Sequence, residues 1–140
     1  MQKTIDGRII NDLDTSNKQI TIFTQQWYDA AHHLENYDGA CKNLHGHTYR
    51  VDLWVRGNIK QLDKAGILYD FGNLKKLTKL LDHCPEGDIN NVIGMNSTAE
   101  NQVIWFFRKL KNEKPELLFK VRVYEQLQPK NSYAEIGDFE

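Results

Sequence analysis

The chain has 140 residues, with 18 Lys and Arg against 19 Asp and Glu, a formal net charge of -1, and 40% aliphatic and aromatic residues. That length suits one domain able to bury its own core. The near-neutral balance supplies no basic field for gripping a phosphate backbone, which argues against nucleic acid as a partner. Two cysteines, Cys41 and Cys84, are too few for a disulfide framework and point to a reducing setting, where a cysteine more often serves catalysis or metal binding.

Residues 1–17 are polar and irregular, which predicts a loosely held arm ahead of a single domain over 18–140. They contain no apolar h-region of a secretory signal. Nowhere does an apolar run approach the ~18 residues of a membrane span, so the expectation is a soluble, cytoplasmic protein with no membrane partner. From Gln19 to Trp27, "QITIFTQQW" alternates and is rich in β-branched and aromatic residues, the pattern of a strand. "DAAHHLENYDGACKN" reads as a small-residue stretch and a loop. "HTYRVDLWVRG" is a clearer strand, with Tyr49, Val51, Leu53 and Val55 on one face and Arg50, Asp52, Trp54 and Arg56 on the other. The two strands are expected to pair antiparallel.

"GILYDF" reads as a short extended piece. "GNLKKLTKLLDH" places Leu74, Leu77 and Leu81 at helical spacing, with Asn73 as a candidate cap. The Pro, Gly and Asn content of "CPEGDINNVIGMN" predicts a loop. A long helix follows over "STAENQVIWFFRKLKNEK". Ser97 and Glu100 form a capping-box pattern, and Val103, Phe106, Phe107 and Leu110 form its apolar stripe. "LFKVRVYEQ" alternates as a strand, and "NSYAEIGDF" holds a last short one. The order strand, strand, helix, helix, strand, strand predicts an α+β domain, a four-stranded antiparallel sheet with two helices on one face. The bare face needs cover, and an oligomer supplies it.

"CKNLHGHTYRV", residues 41–51, holds three of the seven histidines and cysteines. On a strand, His45 and His47 point to one side, with Gly46 leaving the backbone between them unobstructed. That pair suits a borderline metal such as zinc, and the preceding segment offers His32 or its neighbour His33 as a third ligand. Three imidazoles leave one coordination position open, the pattern of a catalytic zinc; Cys41 as a fourth ligand would instead close a structural site. Taken alone, HGH is a weak signal, and bare surface histidines are the commoner case. Glu125 falls by alternation on the face of Phe119, Val121 and Val123, where a carboxylate costs several kcal/mol, to order of magnitude, unless it is paired or hydrogen-bonded.

"AAH" at 30–32 and "CxxLHGH" at 41–47 resemble the 6-pyruvoyl-tetrahydropterin synthase family. The likeness continues through "YDF" at 69–71, "LDH" at 81–83, "STAEN" at 97–101 and "VYE" at 123–125. The four-residue step from Cys41 to His45 is similar to the queuosine-pathway branch, 6-carboxytetrahydropterin synthase. The resemblance implies that His32, His45 and His47 hold Zn2+ and that His33 points elsewhere. It implies Cys41 as the proton-abstracting base, and Asp82 and His83 as a relay serving the cysteine of a neighbouring subunit. Thr98, Glu100 and Glu125 would meet the pterin, with Glu125 also joining the relay. Cys84 has no counterpart and reads as a partly exposed loop thiol. Two departures concern His83: the span from "YDF" to "LDH" is short, and "CPEGDINN" replaces the usual "LN" connection. The implied fold is the tunnelling fold, with trimers closing a barrel and two trimers stacking into a homohexamer with active sites between subunits. The implied activity is that of a lyase making 6-carboxy-5,6,7,8-tetrahydropterin from 7,8-dihydroneopterin triphosphate. Formation of 6-pyruvoyl-tetrahydropterin, or a non-catalytic zinc- or pterin-binding member, is the alternative.

Overall fold

The structure, a computed structural model, describes residues 2–5, 8–11, 15–84, 87–126 and 132–140, the first two stretches as backbone alone. In chain order, β1 (Gln2–Ile5) and β2 (Arg8–Asn11) pair antiparallel as a separate two-stranded sheet. The N-terminal segment is therefore not irregular throughout. Of the expected arm, residues 1, 6, 7 and 12–14 lie outside the described residues.

Two fourteen-residue strands, β3 (Gln19–His32) and β4 (His45–Asn58), carry the fold. They pair without a break from Gln19 opposite Asn58 to His32 opposite His45. The alternation read up to Trp27 thus continues to His32, because Ala30 and Ala31 are small enough to remain in the ladder. β5 (Leu118–Tyr124) and β6 (Ala134–Gly137) complete an antiparallel sheet of order β3-β4-β5-β6. Tyr49, Val51, Leu53 and Val55 of β4, with Phe119, Val121 and Val123 of β5, are fully buried on its inner face. Burial of a side chain of this size contributes roughly 1.5–3 kcal/mol each.

Three helices cover that face. α1 (Phe71–Leu81) turns Leu74, Thr78 and Leu81 inward; its cap is Asp70, which accepts the Gly72 amide at 2.8 Å, and not Asn73. The stretch expected to be extended before it, residues 66–71, forms no strand: a turn closed by the amides of Ala65 and Ile67 on Asp63 Oδ1 at 2.8 and 3.0 Å leads into bends at Gly66, Leu68 and Tyr69, and Phe71 already begins α1. α2 (Ile89–Ile93) occupies the segment read as loop. Local Asn and Gly content hid it, but Asp88 caps its start, Ile89 and Ile93 bury its apolar side, and Gly94 at φ 73° ends it. α3 (Ala99–Glu113) buries Gln102, Val103, Trp105, Phe106 and Leu110, while Phe107 is only half-buried. Its cap is Thr98, on the Asn101 amide at 3.1 Å. The Ser97–Glu100 capping box does not form, because Ser97 lies one residue too early. Cys84 is buried in the core, not an exposed loop thiol.

On the face away from the helices, Arg50 and Asp52 are also buried. The guanidinium donates twice to the carboxylate at 2.9 Å and lies 4.0 Å over the Tyr124 ring. Trp27 and Phe23 remain exposed on that side, at 60% and 43%. Among the described residues no helix is long and apolar enough to cross a membrane.

Candidate metal centre and active site

The unbroken register sets the site. His32 faces His45 directly across the ladder and Ala30 faces His47, so three imidazoles emerge on the inner face at one end of the sheet. Their ring centroids are 4.5, 5.0 and 4.8 Å apart, and one nitrogen of each lies within 4.8 Å of the other two. Cys41 Sγ is not a member of this cluster. His32 is 1% exposed and His45 and His47 are half-buried.

Their hydrogen bonds fix which nitrogen is free. His32 Nδ1 lies 3.0 Å from the Ser97 carbonyl and 2.9 Å from its hydroxyl. The same carbonyl accepts from Gln102 Nε2 at 2.9 Å. His45 Nδ1 lies 2.7 Å from the Asn43 carbonyl. A carbonyl only accepts, so both Nδ1 atoms carry the proton and both Nε2 atoms present lone pairs. Those lone pairs face each other at 3.0 Å. Two bare lone pairs at that distance repel, and a cation between them removes the repulsion; zinc bound at ~2.0–2.1 Å to tetrahedral nitrogens separates them by about 3.3 Å. The donor set and its anchoring carbonyls therefore fit a divalent metal. Burial lowers the His32 pKa to about 4 and also lowers that of His47, which keeps both rings neutral and open to a metal at neutral pH.

His33, the alternative third ligand, turns away. Its Nδ1 pairs with the Asp88 carboxylate, a contact that raises its pKa, and Nε2 lies 3.5 Å from Glu35.

Cys41 sits half-buried in a single 3-10 turn, Ala40–Lys42, whose carbonyl accepts the Leu34 amide at 2.8 Å. Asp82 and His83 follow α1. The Asp29 amide donates to Asp82 Oδ1 at 2.8 Å and the His83 amide to the Asp29 carbonyl at 2.6 Å. This reciprocal pair holds His83 at φ 47°, with its ring 79% exposed and Nε2 3.9 Å from Asp82 and 4.0 Å from Asp29. Asp29, Ala30, His47, Thr48, His83 and Cys84 help line a cleft of about 460 Å³.

Thr98, Glu100 and Glu125 come together along a second cleft of about 470 Å³, beside Leu34, Tyr37 and Tyr133. Glu125 lies just past the end of β5 and is half-buried, so its carboxylate is less enclosed than strict alternation implied. Its charge nevertheless reaches the metal cluster: it works against the burial that lowers the His47 pKa, and it adds to the burial that holds the Tyr49 phenol well above its usual value. The second cleft's lining includes neither Cys41 nor His83. One chain thus brings together the three histidines, and separately Thr98, Glu100 and Glu125, while His83 lines the first cleft, whose wall also includes His47. Sequence reasoning missed Ser97, Asn43 and Gln102 as anchors of the histidines and Asp29 as a partner of the Asp82–His83 turn. Ser97, inside "STAEN", and Asn43, inside "CKNLHGHTYRV", lay within stretches already singled out.

A four-stranded antiparallel sheet backed by helices, with a three-histidine donor set at its end that could hold a metal ion, defines a domain of the tunnelling-fold type. The sequence profile of the 6-pyruvoyl tetrahydropterin synthase family matches residues 21–136, and the chain belongs to that family. It is 28% identical over 122 residues to the 6-carboxy-5,6,7,8-tetrahydropterin synthase of Haemophilus influenzae, covering 70% of this chain and 86% of that one. It is 34% identical over 119 residues to the 6-pyruvoyl tetrahydrobiopterin synthase of Drosophila melanogaster, covering 78% of this chain and 68% of that one. The structure of Caenorhabditis elegans 6-pyruvoyl tetrahydropterin synthase superposes with a TM-score of 0.63 at 28% identity, over 86% of this chain and 96% of that one.

Proposed function

We propose that the protein is a zinc-dependent lyase that converts 7,8-dihydroneopterin triphosphate to 6-carboxy-5,6,7,8-tetrahydropterin, releasing acetaldehyde and triphosphate, in queuosine and 7-deazapurine biosynthesis in the cytoplasm. The observation that carries this reading is the opposed pair of Nε2 lone pairs of His32 and His45, each ring oriented by a carbonyl on its Nδ1. His47 completes the donor set. A zinc ion held there would act as a Lewis acid on the substrate's side-chain oxygens, making an adjacent carbon-bound proton removable.

The chain's own residues do the rest. Glu125 accepts the N–H donors of the aminopyrimidine edge, with Thr98 and Glu100 on the same cleft wall, which orients the ring and its side chain. Cys41 takes the proton as thiolate, and His83 with Asp82 relays or returns one. The exposure of the His83 ring suits a group that serves a neighbouring subunit. Such an arrangement belongs to a trimeric barrel stacked into a hexamer, built from the unit over residues 18–140. The absence of Cys41 Sγ from the histidine cluster favours an open metal site over a closed structural one.

Formation of 6-pyruvoyl-tetrahydropterin uses the same ligands, base and relay and differs in the fate of the side chain. The four-residue step from Cys41 to His45 favours the carboxy product. Incubation of the zinc-loaded protein with dihydroneopterin triphosphate, followed by mass spectrometry, decides between them. The proposal expects 6-carboxytetrahydropterin and acetaldehyde. A pyruvoyl product moves the protein to the other branch, and unchanged substrate with zinc bound favours a binding module.

A further inference from the structure

The one-turn helix α2 sits beside the metal-ligating end of the sheet, and one of its side chains bridges the two pieces of chain that place His32. Asn90 Nδ2 donates to the His33 carbonyl at 2.8 Å, on the chain directly after His32. Asn90 Oδ1 accepts the Ser97 amide at 2.9 Å. Ser97 in turn offers its carbonyl and hydroxyl to His32 Nδ1 at 3.0 and 2.9 Å. Because His33 supplies an acceptor and Ser97 a donor, the amide of Asn90 has only one workable orientation. Its backbone is fixed independently, the amide on Asp88 Oδ1 at 2.8 Å and the carbonyl on the Gly94 amide at 3.0 Å.

We propose that Asn90 is a positioning residue for the metal centre, locking the peptide that aims His32 to the strand end that carries it. Without that bridge the Ser97 amide loses its acceptor. Asn101 Nδ2 on the Asn96 carbonyl at 2.8 Å, the paired Asn96–Glu35 contacts at 2.8 and 2.7 Å, and Gln102 Nε2 on the Ser97 carbonyl at 2.9 Å still hold the segment in place but leave the Ser97 peptide free to tilt. The His32 ring then loses the fixed direction of Nδ1–H, and with it the fixed aim of Nε2. Partners that orient a metal-ligating histidine typically change metal affinity by about 10–100-fold when removed. Asn90 works one bond further out, but it holds both ends of the arrangement at once.

This inference rests on the metal reading proposed above, and the test separates the two. Zn2+ is titrated into apo-protein by calorimetry for wild type, Asn90→Ala, Asn90→Asp and Ile93→Ala, with circular dichroism and unfolding midpoints measured alongside. Asn90→Asp keeps the shape but sets an acceptor against the His33 carbonyl, so it separates hydrogen bonding from space filling. Ile93→Ala loosens α2 from the core, where Ile93 is 6% exposed, without touching the bridge. The expected result is a dissociation constant raised about 10–100-fold in both Asn90 variants and unchanged in Ile93→Ala at comparable loss of stability. Wild-type affinity in Asn90→Asp, or an equal loss in Ile93→Ala, overturns the positioning role alone. No binding by the wild type overturns the metal reading and takes this inference with it.

Discussion

His32 is the residue at which burial and chemistry meet. Its ring is 1% exposed, and burial brings its pKa from 6.5 to about 4. The unfolded chain therefore binds a proton there between about pH 6.5 and 4 that the folded chain refuses, and stability falls as pH drops through that window. Apo-protein should lose melting temperature progressively from pH 6.5 downward, and His32→Gln should flatten that slope; a parallel slope in the variant would assign the effect elsewhere. Cys41 makes the opposite kind of prediction. It lies outside the cluster of donor nitrogens, so on the proposed function the metal is expected to be held without it. Cys41→Ala should keep its zinc by elemental analysis while turnover drops on the order of 10²–10⁴-fold, the usual contribution of a positioned base. Zinc lost with the thiol would mean a closed site. His45 and His47 were legible as a pair because strand periodicity sets side-chain direction, whereas His32 was set apart from His33 by the family resemblance, since the stretch holding both read as loop. The residues that orient them were not, since a backbone carbonyl such as that of Asn43 leaves no mark in residue type.

At the scale of the element, the four sheet strands and the two longer helices followed from alternation and from helical spacing of Leu74, Leu81, Val103, Phe106 and Leu110. Their ends followed less well, because caps are decided by which side chain reaches a free amide. Asp70 and Thr98 reach one; Asn73 and Ser97 do not. The Thr98 hydroxyl holds the Asn101 amide at the head of α3, so Thr98→Ala should cost about 1 kcal/mol in urea unfolding. Ser97→Ala should leave that cap intact and act instead on metal affinity, through the lost hydroxyl on His32. α2 was invisible because five residues give periodicity too little length to register. Its existence depends on burying Ile89 and Ile93 against the core, a tertiary cause that local composition does not reveal.

For the whole molecule, the sheet's second face sets the requirement. It shows Trp27 and Phe23 to solvent, and its edge strands β3 and β6 each have one unpaired side in the single chain. Exposed aromatics on a sheet with open edges mark an association surface. Light scattering should report an assembly at micromolar concentration, with Trp27→Lys shifting it toward smaller species; a wild-type monomer would remove the inter-subunit relay from the mechanism. The need for cover was readable from the count of strands and helices. The buried Arg50–Asp52 pair on the same face was not. Alternation assigned those residues to the far side of β4 but carried no information about the Tyr124 ring that lies against the guanidinium.

The continuous fourteen-rung pairing of β3 with β4 has a consequence for tolerance to change. Deleting a single residue between Ile20 and Ala31 would shift either the hydrophobic half of β3 or His32 by one rung and turn it to the opposite side. The chain can then keep its core or its metal ligand in place, but not both. Insertions should accumulate in the connection from His33 to Leu44, where no rung constrains them, and be rare within the two strands.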